Sequence, residues 1–203
     1  MATVLVTGFE PFGGEAVNPS WEAAALVSST VAGTRLERVL VPTTYEGSIE
    51  TVTAAIDRYQ PTAVLMVGQA GGRTELSIER IAINLDDAQA PDNAGVVREG
   101  TAIVAGGPCA YMASLPLREM TARLHEAGVP AAISNTAGLF VCNHLFYGVL
   151  HYLAVQQLNI TAGFVHVPFL PQQVTSRPGT PSMSLAEIVA GLSVIVDVLA
   201  RQA

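Results

Sequence analysis

Thr3-Val4-Leu5-Val6-Thr7, followed after a glycine-rich turn by Asn18-Pro19, decides the fold. The first stretch is a short β-branched apolar run and reads as a buried strand. The second opens a helix, with asparagine as cap and proline at the first helical position. Strand then helix is a unit, and the chain repeats it. Leu36–Val41 reads as a second strand, and Thr51–Tyr59 belongs to a second helix. Ala63–Val67 (AVLMV) is a third strand, running into Gly68-Gln69-Ala70-Gly71-Gly72. Leu76–Asn84 is expected as strand, and Asp86 to Gly107 mostly as loop. Leu117–Glu126 is helical and closes on Gly128. Ala131–Ser134 is a strand, a helix runs from about Cys142 to Gln157, and Ala162–Val167 is a further strand. Ser184 and Glu187 form a capping box for a last helix. Its Leu185, Ile188, Val189, Leu192, Ile195, Val196 and Leu199 make one apolar stripe. This alternation predicts an α/β fold with a largely parallel sheet between helical layers. Gln172–Met183, rich in proline, serine and threonine, is the expected mobile loop.

The length of 203 residues suits one domain over 1–203. Half the residues are hydrophobic and 13% are charged, enough apolar material for a large core and too little charge for a disordered chain. A net charge of −7 with no basic run argues against nucleic acid as the partner. All ten basic residues are arginine. That excludes lysine chemistry: no P-loop lysine, no Schiff base and no Ser-Lys dyad. Cys109 and Cys142 form no C-x-x-C and no zinc-finger spacing. The start, MATVLVTGFE, has no basic region before its apolar stretch, so no signal peptide is expected and a reducing cytoplasm is the simplest compartment. Ala137 to Val155 is long and apolar, but Asn143, His144 and His151 within it are costly in hydrocarbon, so no membrane span is expected.

Chemistry points first to Cys142. A strand ends, a small-residue turn follows, and the cysteine sits where the next helix begins. A helix N-terminus carries partial positive charge and unpaired N–H groups. It should therefore lower the thiol pKa, and its N–H groups can stabilise an oxyanion. A buried structural cysteine competes on even terms. Of the four histidines, His125 lies in the last turn of a polar helix. His144 and His151 share a helix face and would make an incomplete metal site. His166 ends a strand, where open α/β sheets bind ligands, and is the candidate base; a structural histidine remains the alternative. Glu79 is the candidate acid that orients it, against a surface pair with Arg80 as the favoured alternative. The loop Thr7–Gly14 lacks the phosphate-binding spacing but sets Phe9 and Phe12 beside glycines, which suits a flat neutral ligand or simple loop packing.

Five collinear motifs, spread over residues 4 to 173, carry a resemblance: VLVTGFEPFGG with NPSWEA, VGQAGGR, ERIAINLDDA with PDNAG, SNTAGLFVCNHLFYG, and GFVHVPFLPQQ. Together they resemble the type I pyroglutamyl peptidases, also called pyrrolidone-carboxylate peptidases. The resemblance implies a three-layer α/β/α sandwich that needs no metal or cofactor and assembles as a homodimer or homotetramer. It implies Cys142 as nucleophile, His166 as base and Glu79 as acid. It implies that Phe9 and Phe12 pack around a pyroglutamyl ring, with Asn18 and Gln69 near that pocket and Phe140 and Val141 of the nucleophile turn lining it. The implied substrates are peptides with N-terminal pyroglutamate. Two positions depart from the family pattern. Leu139 replaces the usual threonine, and Gln89 stands where the family commonly has arginine, which leaves the side-chain part of the oxyanion hole open. A nucleoside phosphorylase-like enzyme, or a non-catalytic pyroglutamate-binding protein on a similar scaffold, is the alternative reading.

Overall fold

In the computed structural model, which describes residues 2–31 and 33–202, the strand–helix units stack into three layers. The strands of the central sheet are β1 (Thr3–Phe9), β2 (Thr30–Val31), β3 (Thr34–Val41), β4 (Ala63–Gln69), β5 (Leu76–Glu79), β10 (Ala131–Ser134) and β11 (Thr161–Val167). Their order across the sheet is β10-β5-β11-β4-β1-β3-β2. Pairing is parallel from β11 through β4 and β1 to β3, and again between β10 and β5. It is antiparallel between β11 and β5, and between β2 and β3. The largely parallel sheet therefore reverses direction once in its interior, beside β11.

Alternation along each strand sorts the side chains into two cores. Val4 and Val6, Leu65 and Val67, Leu76 and Ile78, Val165 and Val167 face one side. There they pack against α1 (Pro19–Leu26), α3 (Leu117–Glu126) and α5 (Leu185–Ala200). Leu5 and Phe9, Val64 and Met66, Ala162 and Phe164 face the other side, against α2 (Tyr45–Tyr59) and α4 (Val141–Val155). Each fully buried Leu, Ile or Val stabilises by roughly 1.5–3 kcal/mol. The same alternation decides the site: Glu79 follows Ile78, and His166 follows Val165, so both turn toward the α4 side.

The strand expected over Leu76–Asn84 breaks at Arg80. Its second half becomes β6 (Ile81–Ile83), which leaves the main sheet and pairs with β9 (Ala110–Met112). The expected loop after Asp86 contains a hairpin of β7 (Asp86–Ala88) and β8 (Arg98–Thr101). Short polar strands of this kind carry little apolar signal. The proline-rich segment expected to be mobile is anchored. Its start forms a turn of 3-10 helix over Pro171–Gln173, the Gln173 amide reaches Gln69, and Arg177 bonds Glu15.

Asn18, Thr44 and Ser184 cap α1, α2 and α5 with side-chain oxygens. At α4 the cap position is Phe140, whose ring carries no capping oxygen, so the first-turn N–H groups are left for another partner. No helix among the described residues is long and apolar enough to cross a membrane.

Candidate active site

The turn that delivers Cys142 runs from the end of β10 to the first turn of α4. Its bend depends on Gly138, whose φ of 77° lies where a side chain would be strained. Asn143 then fixes where the helix begins. Its amide oxygen accepts from the N–H of Ile83 at 3.0 Å, and its nitrogen donates to the carbonyls of Ile83 and Leu85. Asp87 N–H donates to the Leu139 carbonyl and ties the β7–β8 hairpin to the same turn.

The sulfur of Cys142 lies over Gly68 of β4. A Cβ built on Gly68 would stand 2.9 Å from Sγ and 2.7 Å from the Phe164 ring. Only a bare Cα lets the thiol approach the sheet this closely. Gly68 is the register partner of His166 on β11, so thiol and imidazole occupy adjacent strands at the same level.

Glu79 reaches His166 diagonally. Because β5 runs antiparallel to β11, His166 lies opposite Ser77, and Glu79 lies opposite Phe164, two residues deeper in the sheet. Diagonal neighbours on one face are within reach of long side chains. His166 Nδ1 stands 2.8 Å from Glu79 Oε1. Glu79 is fully buried and His166 is 3% exposed, so Glu79 is no surface partner of Arg80. With Nδ1 committed, Nε2 is the nitrogen free for chemistry.

The thiol departs from expectation. Burial, and then the negative charge of Glu79, push the Cys142 thiol up from 9.0 to about 12. The helix N-terminus was expected to lower it. Here desolvation of the charged form outweighs that partial charge, because the sulfur is packed between Gly68 and the core. At neutral pH the resting group is a thiol.

Phe9 and Phe12 join two different aromatic chains. Phe9 packs on Phe164 with centroids 6.4 Å apart, and Phe164 lies 4.8 Å from His166. Phe12 packs on Phe140 at 6.0 Å, and Phe140 meets Tyr45 edge-on. Val141 is buried in the α4 core. Both polar atoms of Asn18 are engaged in folding the loop after β1: Oδ1 accepts from Ser20, and Nδ2 donates to the Glu10 carbonyl. Gln69 follows Gly68 and so turns to the opposite face, where its Oε1 accepts from Gln173. Gln89 is exposed on the β7–β8 hairpin. The remaining histidines hold structural bonds: His125 to the Ala131 carbonyl, His144 to Asp86, His151 to Tyr111.

Two residues at the site went unnoticed in the sequence. Gly68 is one; it stood in the glycine-rich stretch and, like Arg73, in the motif VGQAGGR, but with no role assigned. Arg73 is the other. Its guanidinium lies 3.0 Å from Ser77 Oγ, 3.3 Å from the Thr136 carbonyl and 3.5 Å from Glu79 Oε1.

Comparison with known proteins finds relatives that match along nearly the whole chain. The family model described as "Pyroglutamyl peptidase" matches residues 2–202. A pyrrolidone-carboxylate peptidase of Bacillus cytotoxicus is 46% identical over 98% of this chain and 93% of its own length. Pyrrolidone-carboxylate peptidase 2 of Photorhabdus laumondii is 50% identical over 96% of this chain and 90% of its own. Among solved structures, pyroglutamyl peptidase I of Bacillus amyloliquefaciens superposes with a TM-score of 0.95 at 41% identity, covering 99% of this chain and 98% of that one. A thiol, an imidazole and a buried carboxylate meeting on one sheet face, in a chain alike end to end, lead to one conclusion: this chain belongs to the pyroglutamyl peptidase family.

Proposed function

We propose that this chain is a cysteine exopeptidase, an omega peptidase that hydrolyses the bond after an N-terminal pyroglutamyl residue of peptides. Cys142 is the nucleophile, His166 the general base and acid, and Glu79 the group that orients the imidazole. The observation that carries this reading is the meeting of three distant segments: Sγ over Gly68, His166 beside Gly68, and Glu79 Oε1 2.8 Å from His166 Nδ1.

The reaction follows from that geometry. The resting thiol is protonated, so its proton moves to His166 Nε2 as Sγ attacks the scissile carbonyl carbon. The oxyanion that forms is met by the free N–H groups of the first turn of α4, which no side chain caps. That backbone donation takes the role left open at Gln89, which is exposed. The protonated His166 gives its proton to the leaving amine, and an acyl thioester remains on Cys142. His166 then takes a proton from water, which attacks the thioester and releases pyroglutamate and the free thiol. Glu79 holds His166 so that Nε2 faces the sulfur.

A pyroglutamyl residue is a flat lactam without an ammonium charge. Phe12 and Phe140, which pack on each other and are partly exposed, supply its aromatic flank, while Phe9, on the chain to His166, and Val141 are buried and back the pocket from within the core. Asn18 contributes through the loop it folds, and Gln69 through its backbone. No cofactor is required, since Sγ becomes a strong nucleophile as His166 takes its proton. The whole chain, 1–203, acts as one catalytic domain in a reducing cytoplasm, as a homodimer or homotetramer.

Release of a fluorescent amine from its pyroglutamyl amide, in reducing buffer, tests the reading. Wild type should turn over, iodoacetamide should stop it, and Cys142→Ala should be inactive. Binding of pyroglutamate without turnover would favour the non-catalytic alternative. A Cys142→Ala variant as fast as wild type would sink the mechanism.

A further inference from the structure

We infer that Arg73 is a positioning residue for catalysis, one that locks the orienting carboxylate to the turn that carries the nucleophile. This inference rests on the proposed roles of Cys142, His166 and Glu79.

The argument begins with the isolation of Glu79. Its side chain is fully buried, and Oε2 has no hydrogen-bond partner. A buried carboxylate is costly unless a cation and hydrogen bonds answer it. Oε1 has two neighbours: His166 Nδ1 at 2.8 Å and Arg73 at 3.5 Å. While His166 is a neutral base it supplies a donor but no charge. Arg73 is then the cation that faces Glu79.

Arg73 does more than neutralise. The nitrogen nearest Glu79 also donates to the Thr136 carbonyl at 3.3 Å, within the turn from β10 to Cys142. The other terminal nitrogen donates to Ser77 Oγ at 3.0 Å, and Ser77 is the register partner of His166. One planar guanidinium thus spans the acid, the strand beneath the base and the loop before the nucleophile. Three separate acceptors suit the forked donors of a guanidinium, whereas an ammonium concentrates its donors at one point. With Arg73 gone, Glu79 keeps only its bond to His166, because Oε2 has no partner among the described residues, and the Thr136 turn loses its tie to β5.

The test compares Arg73→Met and Arg73→Lys, alone and combined with Glu79→Gln, using release of amine from the pyroglutamyl amide. Arg73→Met should lower kcat by about 10- to 100-fold, with KM changed less than threefold, because the residue acts on alignment rather than on substrate binding. Arg73→Lys should recover part of the loss. In the Glu79→Gln background, Arg73→Met should cost less than threefold more, because its main target is gone. Multiplying losses, an unchanged kcat in Arg73→Met, or a loss confined to KM would overturn the inference. So would melting curves showing that both Arg73 variants fail to fold, which would make Arg73 a stabilising residue only. If Glu79→Gln alone runs at the wild-type rate, the proposed triad fails instead, and the two failures are distinguishable.

Discussion

Among the described residues, two buried histidine–carboxylate pairs are built to nearly the same plan, and one of them has no nucleophile beside it. His166 meets Glu79 at 2.8 Å, and His144 meets Asp86 at 2.8 Å. Both carboxylates are fully buried, and both histidines use Nδ1. Each carboxylate oxygen also faces an arginine, Arg73 at 3.5 Å and Arg98 at 3.0 Å. The surroundings differ. Around His144 the neighbours are aromatic: Tyr45 lies edge-on at 5.3 Å, and Arg98 stacks over the same Tyr45 ring at 4.7 Å. That pair fastens the β7–β8 hairpin to α4. Around His166 the sheet carries Gly68, and the space a Cβ would fill admits a sulfur. A histidine oriented by an acid is therefore a structural bolt or half of a catalytic site, and the group placed beside its second nitrogen decides which.

Exchanging effects between the pairs is the sharpest way to break this comparison. His166→Ala should lower kcat/KM by ~10³-fold while the protein still melts cooperatively, since removal of a general base typically costs 10²- to 10⁴-fold. His144→Ala should do the reverse. It should lose about 2–3 kcal/mol in urea unfolding, because Asp86 keeps Arg98 but loses its histidine, and the folded fraction should keep kcat/KM within a few-fold. Equal kinetic losses in the two variants would end the distinction. Gly68→Ala should come next in size. A methyl group there meets Sγ and Phe164, so kcat should fall about 10- to 100-fold as the thiol is displaced, with about 1–3 kcal/mol lost to overpacking. A fully active Gly68→Ala variant would show that the close approach of sulfur to sheet is dispensable.

The smallest expected effect is on pH. Cys142 is raised by burial, and next by Glu79, from 9.0 to about 12. The folded state thus holds a proton that the unfolded state releases near pH 9. Stability from this group is complete below that pH and declines as pH rises toward 12. Urea melts at pH 8 and pH 10.5 should show wild type losing more stability than Cys142→Ala over the interval. Equal slopes would place the thiol in a better solvated setting than its packing against Gly68 implies.

Much of this was legible beforehand, for physical reasons that can be named. Apolar runs such as Ala63–Val67 and the capped starts at Asn18 and Ser184 announce strands and helices through local chemistry alone. Caps did not decide every helix start: α3, with no side-chain cap, begins at Leu117 as expected, whereas α2, capped by Thr44, extends back to Tyr45 from the expected Thr51–Tyr59 stretch, and α4 begins at Val141, one residue before the expected start. The break at Arg80 was also hidden. Ile81–Ile83 has the composition of a strand, and only its pairing with β9 shows that it has left the main sheet. Glu79 looked like a surface charge beside Arg80, since the strand's own pattern does not say what covers its polar face. The thiol pKa was misjudged for the same reason. A helix N-terminus is visible in sequence, but the desolvation that overrides it is not.

The residues by themselves determined that strands alternate with helices, that lysine chemistry is excluded, and that a cysteine and a histidine stand at element ends where reactive groups can sit. Those properties depend on neighbours within a few positions. Tertiary structure alone decided that β5 runs antiparallel beside β11, which sets Glu79 below His166, and that bare Gly68 leaves room for Sγ. It also decided that His144, with an equally good carboxylate, is left without a nucleophile. Strand direction, close approach and burial are here relations between segments 58 or more residues apart, and local sequence carries no force that could specify them.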